Sequence, residues 1–388
     1  MKVFRKVIFW LHLITGVIGG IVIFVMCVTG AVLSFEKNIV NYVEGDQQRV
    51  AGVQGEGLPV SALLASASNA RPDAKAASIT LSSDPNAAAV VSLGRDGRLF
   101  IDPYSGKVLG EGNAAVRSFF AATTSLHRWL ALEGDGRAWG KAVTGFCNAL
   151  FLVLAITGMY IWMPRRLNLR HIRPVVWFRK THTGRARDFN WHNVAGFWCS
   201  LVLIVLTATG MVISYKWASD LVYKVTGNDP PVQQAAKDPG APAMPQVPAS
   251  PDRIDALWAA AMMRNDGWKT VSLRLPVVEE AVFTVDEGKY LNIFGRSTLT
   301  LLSATGEAAK WEPYGERNTG QQLRLWMRFT HTGESFGLIG QAVGFIACLG
   351  GALLVYTGFA LVLRRAARWL RRPRTIRTGQ VPLAEGGM

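Results

Sequence analysis

Four stretches of this chain carry no Asp, Glu, Lys or Arg for more than twenty residues: Val7 to Phe35, Ala142 to Pro164, Phe189 to Tyr215 and Ser335 to Leu363. Each exceeds the roughly 20 apolar residues that cross a ~30 Å hydrocarbon core. In lipid such a segment must close its backbone hydrogen bonds internally, so all four are predicted to be helices. The first is longer than the apolar core of a signal peptide and no small-residue cleavage site follows it, which marks it as a retained span. Between the spans the pattern changes to short alternating runs bounded by turn residues. Residues 58–110 read as a helix over "LPVSALLASASNA", strands near Ala76 to Leu81 and Ala88 to Leu93, and a strand and turn at "GRLFIDPYSGKVLGE". Residues 250–310 repeat that plan, with a helix at "PDRIDALWAAAMMRN" and strands at "KTVSLRLP" and "AVFTVDE". The Pro- and Ala-rich "PPVQQAAKDPGAPAMPQVPASP" before it reads as a linker.

The predicted fold class is therefore a polytopic α-helical membrane protein, with four transmembrane helices as two parallel repeats and two small α+β modules. Its expected parts are a first span (1–36), a module with a membrane-proximal segment (37–137), a second span (138–164), a basic loop (165–188), a third span (189–217), a second module (218–335), a fourth span (336–363) and a basic tail (364–388).

Charge decides the orientation. The net charge of +15 would suggest nucleic acid if it were spread over one soluble domain, but it is not. The two termini and the 164–188 loop hold 18 basic residues against only Asp188 and Glu385, while the two long segments are nearly balanced. The positive-inside rule then puts both termini and the loop in the cytoplasm and both modules outside, and removes the case for a nucleic-acid partner. Cys27, Cys147, Cys199 and Cys348 fall one in each span, so the modules contain no disulfide and no Cys-x-x-Cys pair holds zinc or an iron–sulfur cluster.

The chain repeats internally. An offset of 180 lays His12 on His192, Gly16 on Gly196, Thr29-Gly30 on Thr209-Gly210 and Ser34 on Ser214. An offset of 200 lays Gly140 on Gly340 and Thr157-Gly158 on Thr357-Gly358. Four of the six histidines occupy paired places: His12 and His192 at the cytoplasmic heads of spans one and three, His127 and His331 before spans two and four on the outer side. The outer pair implies a four-residue insertion in the first copy. Paired imidazoles from neighbouring helices are the usual axial ligands of a six-coordinate haem b, and no Cys-x-x-Cys-His motif provides covalent attachment. From each inner histidine a face of small residues follows at helical spacing: Gly16, Gly19 and Gly30 in one copy, Gly196, Cys199 and Gly210 in the other. Such a face suits a macrocycle and equally suits close helix packing. Two haems are expected, one per pair. His171 and His182 lack repeat partners, with His182 a reserve ligand.

The segments "LHLITG", "IDPYSGKVLGE", "SLHRWL", "AITGMYIWMPRR", "WHNVAG", "TATGMVIS" and "HTGESFG" resemble the PepSY-associated transmembrane-helix family of iron-regulated bacterial inner-membrane proteins. Within it the chain is most similar to the haem-containing ferric-siderophore reductases of the FoxB type. The resemblance implies an oxidoreductase that passes electrons across the membrane to siderophore-bound iron in the periplasm. No dinucleotide fingerprint follows any strand, so the donor would be a quinol or a partner reductase. Arg117, Arg128 and Trp129 in one copy, and Arg324, Trp326 and Arg328 in the other, cluster about the outer histidines. They fit interfacial anchors or contacts to haem propionates or a docked chelate. The competing readings are a non-catalytic module that binds peptides or restrains a protease, and a siderophore or haem carrier.

Overall fold

The computed structural model describes residues 2–50, 52, 55–163, 169–180, 183–230, 248–264, 267–289 and 295–370. The linker between the modules (231–247), residues 164–168 and 181–182 of the basic loop and its approach, and the tail beyond Leu370 lie outside them.

Among the described residues, four helices are long and apolar enough to span a membrane. They are α1 (Lys2–Leu33), which continues after a break at Ser34 and Phe35 into α2 (Glu36–Val43), α5 (Gly136–Trp162), α7 (Gly184–Ser214) and α11 (Gly337–Leu370). α1 packs against α5 and α11, and α7 against the same two, so the four form a ring in which α1 and α7 lie diagonally opposite. Their composition is turned outward: Ile14, Ile18 and Ile21 of α1 and Leu201 of α7 are exposed, whereas Thr15, Thr29, Thr157, Ser200, Thr209 and Thr357 are buried. In lipid, apolar surface gains nothing by turning inward, so helices meet through small and hydroxyl-bearing residues. At the closest approaches, an added Cβ at Gly350 or Gly351 would fall 2.3 Å and 2.7 Å from the Cys199 and Cys27 sulfurs. The cysteines are thus packed into glycine notches.

At one end of the bundle two shorter helices, α4 (Ala114–Trp129) and α10 (Thr319–His331), run back toward the spans. Each is started by an asparagine: the Asn113 side chain accepts from Val116 N–H at 3.0 Å and Asn318 from Gln321 N–H at 2.8 Å, relieving the open first turn. α4 ends where Leu130 and Ala131 turn left-handed, a conformation its counterpart after His331 assigns to Gly333. α8 (Lys216–Val225) follows α7 as α2 follows α1, and α6 (Leu169–Val176) lies on α7 at the opposite end.

Beyond α4 and α10 sits a sheet. Its strands are β1 (Ser78–Ser82), β2 (Ala89–Ser92), β3 (Arg98–Ile101), β4 (Val108–Gly110), β5 (Thr270–Arg274), β6 (Glu280–Asp286), β7 (Arg296–Leu302) and β8 (Ala308–Glu312). Two separate modules are the expectation from sequence; the strands instead form one antiparallel eight-stranded sheet in the order β4-β3-β2-β1-β5-β6-β7-β8. The first strand of each half is the joint, centred on Thr80 opposite Ser272, whose hydroxyls hydrogen-bond at 2.9 Å. Joining removes the unpaired edge each small sheet would otherwise present. α3 (Val60–Ala70) and α9 (Pro251–Met263) cover one face, tied to each other by Ser61 N–H on the Asp255 carboxylate at 2.8 Å. The alternate residues Ala281, Phe283 and Val285 of β6 point into that core with Leu63 and Leu257, all fully buried.

Candidate functional site

The four repeat histidines converge on the bundle interior, each held in the same way. His12 Nδ1 meets the Thr157 hydroxyl at 2.9 Å, His192 that of Thr357 at 2.9 Å, His127 that of Thr29 at 2.8 Å, and His331 that of Thr209 at 3.2 Å. Each threonine hydroxyl already donates to the carbonyl four residues back, on Val153, Leu353, Val25 or Val205. It can therefore only accept from the imidazole. His331 Nδ1 also lies 2.9 Å from the Leu206 carbonyl, which again requires a donor. The proton sits on Nδ1 in every case, and Nε2 keeps the lone pair a metal needs.

The glycine after each threonine makes room for the ring. A Cβ at Gly158, Gly358, Gly30 or Gly210 would come within 3.2, 3.6, 3.4 or 3.2 Å of Cε1 of His12, His192, His127 or His331. Gly30 and Gly210, which the helical spacing groups with the inner histidines, thus seat the outer ones. Gly16 and Gly196 do line the inner space, where a Cβ would meet only the leucines Leu154 and Leu354 at ordinary contact distance.

The pairing of threonine and histidine fixes how far apart the two ends are. Along α1, His12 and Thr29, the partner of His127, are 17 residues apart, ~25 Å at ~1.5 Å per residue. The same interval separates His192 from Thr209 on α7. Across the bundle the His12 and His192 ring centres are 6.3 Å apart with planes at 87°. Two imidazoles bound to opposite sides of one metal at ~2 Å from each nitrogen have centres about that far apart. The inner pair opens on a cavity of ≈ 300 Å³, within the ~300–1,000 Å³ range of small-molecule sites. Ile23, Phe151 and Leu203 close its deep end, and its other end reaches Phe9, Arg185, Arg365 and Arg368. Among the described residues no three His, Cys, Asp or Glu side chains gather as a bare-metal site. Two imidazoles suit a metal whose other positions are already filled by a macrocycle.

His127 and His331 stand against the matching Thr-Gly pairs of α1 and α7, as His12 and His192 stand against those of α5 and α11. Around the outer pair the expected cationic and aromatic residues are split. Arg128 and Arg137 lie over the Trp129 ring at 4.7 and 3.8 Å. Burial, then the charges of Arg328 and Arg137, lower the pKa of the Arg128 guanidinium. Arg324 is instead turned aside to the Ser219 hydroxyl at 2.7 Å, and Trp326 packs edge-on against Phe336. Arg117 belongs to the scaffold, where Nε donates to the buried Glu44 carboxylate at 2.6 Å. His182 lies outside the described residues. The four threonines escaped the sequence reading; their signal was the Thr-Gly pairs that align between the halves, Thr29-Gly30 with Thr209-Gly210 and Thr157-Gly158 with Thr357-Gly358.

The family described as the PepSY-associated TM region matches residues 9–365, nearly the whole chain. No curated protein matches it.

Proposed function

The chain belongs to the PepSY-associated TM region family, and on that premise we propose that it is a two-haem electron conduit of the bacterial inner membrane that reduces siderophore-bound ferric iron. The observation that carries this reading is the fourfold His–Thr–Gly arrangement, two imidazoles at each end of the bundle, all with Nδ1 protonated and Nε2 free. Neutral imidazoles presented in pairs are the axial ligands of a six-coordinate haem. The inner walls fit a macrocycle, since Gly16, Gly196, Gly158 and Gly358 bring only backbone to the cavity beside His12 and His192. A haem bound at each pair would supply one-electron transfer.

The rest is the work of the side chains. Each threonine fixes ring orientation and raises the basicity of the ligating nitrogen. The apolar wall of Ile23, Phe151 and Leu203 keeps water out of the space between the two pairs. The charge pattern supports a periplasmic sheet, cytoplasmic termini and a donor on the sheet-distal side, whether a quinol or a partner reductase. Apart from α6, the helices and strands recur in the two halves, which supports descent from a duplicated helix–module–helix unit. Ferric iron in a siderophore is held by hard oxygen ligands that bind ferrous iron less well, so delivery of an electron needs no nucleophile or base from the protein. The cluster of Arg128, Arg137 and Arg328 beside the outer pair suits an anionic chelate.

The test begins with the purified protein, for which a pyridine haemochrome assay should return two haems b per chain. In vesicles with reductant confined to the sheet-distal side and a ferrous chelator on the other, added ferric siderophore should yield ferrous iron, and His331→Ala should abolish that yield while the inner haem stays reducible. A colourless protein would favour a peptide-binding or carrier role instead. Undiminished ferrous iron from the variant would remove the outer pair as the exit.

A further inference from the structure

The sheet-distal end of the bundle holds more arginine than its own structure uses. Arg5 donates to the Ile161 carbonyl at 2.6 Å and so covers the open C-terminus of α5. Arg187 and Arg364 share the buried Asp188 carboxylate, at 2.8 and 3.1 Å. Arg185, Arg365 and Arg368 are different in charge balance: all three line the cavity that holds His12 and His192, and among the described residues none has a carboxylate within ion-pair distance, Arg368 Nε donating only to the Arg364 carbonyl at 3.2 Å. The contrast is sharpest between Arg5 and Arg185, which occupy equivalent places in the two halves, one spent on a helix end and the other left facing the cavity. Arg365 is held there by the rings of Phe9 and Trp10, with its guanidinium carbon 5.6 and 4.9 Å from their centres.

A cavity with apolar walls, two imidazoles in its depth and three uncompensated guanidiniums at one end selects a ligand of matching polarity. Its body must be apolar and its anionic groups must lie together on one edge. We propose that Arg185, Arg365 and Arg368 form a carboxylate-binding rim that orients the inner haem with its propionates toward the sheet-distal end. The proposal rests on the two-haem reading and adds the direction of the macrocycle and the residues that set it. Guanidinium–carboxylate hydrogen bonds are charge-assisted and geometrically specific, so the rim discriminates a free acid from its ester.

The experiment uses the full chain in uncharged detergent with His127→Ala and His331→Ala, which leaves only the inner pair to be filled. It compares protohaem with protohaem dimethyl ester, following loss of each to apomyoglobin. With the three arginines intact, protohaem should be held about tenfold longer than the ester. Changing all three to Gln should bring the two retention times together while both haems keep a low-spin bis-histidine spectrum, which shows the fold and the ligands intact. Equal retention of acid and ester by the chain with its arginines would overturn the rim and leave the two-haem reading standing. Failure to take up either haem would overturn both. If the Gln variant keeps the acid preference and loses only its preference for anionic over zwitterionic vesicles, the arginines serve lipid headgroups and the proposal is wrong.

Discussion

The two interiors of this protein are built on opposite principles. Under α3 and α9 the sheet closes on side chains such as Leu63, Phe283 and Leu257 that are wholly buried, each large and apolar. Inside the bundle threonines, glycines and histidines share the interior around a cavity with only a few buried aliphatic residues such as Ile23 and Leu203, while many of the other large aliphatic residues face outward. Water explains the first arrangement, since burying an apolar side chain there is worth ~1.5–3 kcal/mol. Lipid explains part of the second, because it rewards close contact and internal hydrogen bonds rather than apolar burial. It does not explain four imidazoles held in one tautomer. The sheet is complete as it stands, while the bundle interior is shaped to receive something.

The largest break of that comparison comes from the inner histidines. His12→Ala or His192→Ala should remove one axial ligand, leaving the inner haem high-spin or lost and the outer one low-spin, as read by absorbance and electron paramagnetic resonance. The sheet should be unaffected. If both variants keep the full low-spin spectrum, His182 takes the place of one of them. The converse substitution is Leu257→Ala, which empties part of the sheet core and should cost about 2–5 kcal/mol. It should lower the temperature at which the sheet becomes protease-sensitive and leave the haem spectrum unchanged. Loss of haem from Leu257→Ala would mean that the two interiors are one cooperative unit.

The parts legible in the sequence were those written in local pattern. Charge-free runs marked the spans, and a constant offset of 180 exposed the inner histidine pair because His12, Gly16 and Thr29-Gly30 recur in one register, whereas the outer pair emerged only with a four-residue insertion. What stayed hidden depends on contacts between distant positions. Thr157 aligns visibly with Thr357, yet nothing local says that it faces a histidine 145 residues earlier. Gly30 shares a helical face with His12, and only the docking of α4 shows that it seats His127. The β1–β5 joint has the same cause: two edge strands of ordinary composition carry no mark of pairing with each other rather than with solvent, and their partners stand about as far apart as Thr80 and Ser272. The Glu44–Arg117 pair likewise looks like any two surface charges until α2 and α4 meet.

The threonines sharpen the comparison at smaller scale. Thr157→Val keeps shape and removes the hydroxyl, so His12 retains its seat against Gly158 but loses its orienting acceptor. Groups that orient a metal ligand are worth about 10–100-fold in affinity. The inner haem should dissociate faster by that order, with Thr357→Val behaving alike and Thr207→Val, whose hydroxyl meets only its own helix, leaving the rate unchanged. Equal effects from all three would reduce the threonines to packing residues.

The smallest effect belongs to the joint between the two regions. Glu44 follows α2 and is fully buried where α4 begins, accepting from Asn113 N–H at 2.9 Å and from Arg117 Nε at 2.6 Å. Burial alone raises the Glu44 carboxyl, but the hydrogen bonds and charge of Arg117, with the Asn113 N–H, outweigh it and hold its pKa below the usual value. A carboxylate depressed in the folded state stabilises fully above the unfolded pKa, ~4.3 for Glu. That stabilisation is lost as pH falls through the lower folded value. Thermal unfolding of the whole chain in detergent should therefore lose stability between about pH 5 and 3, and Glu44→Gln, already without the charge, should give a flatter curve over that range. Because one group is discharged, the change should be smaller than that from Leu257→Ala, and it should appear first as protease access to the segment between α2 and β1 with the sheet core still closed. Parallel curves for the two proteins would show that the joint is held by packing and that the ion pair contributes nothing to it.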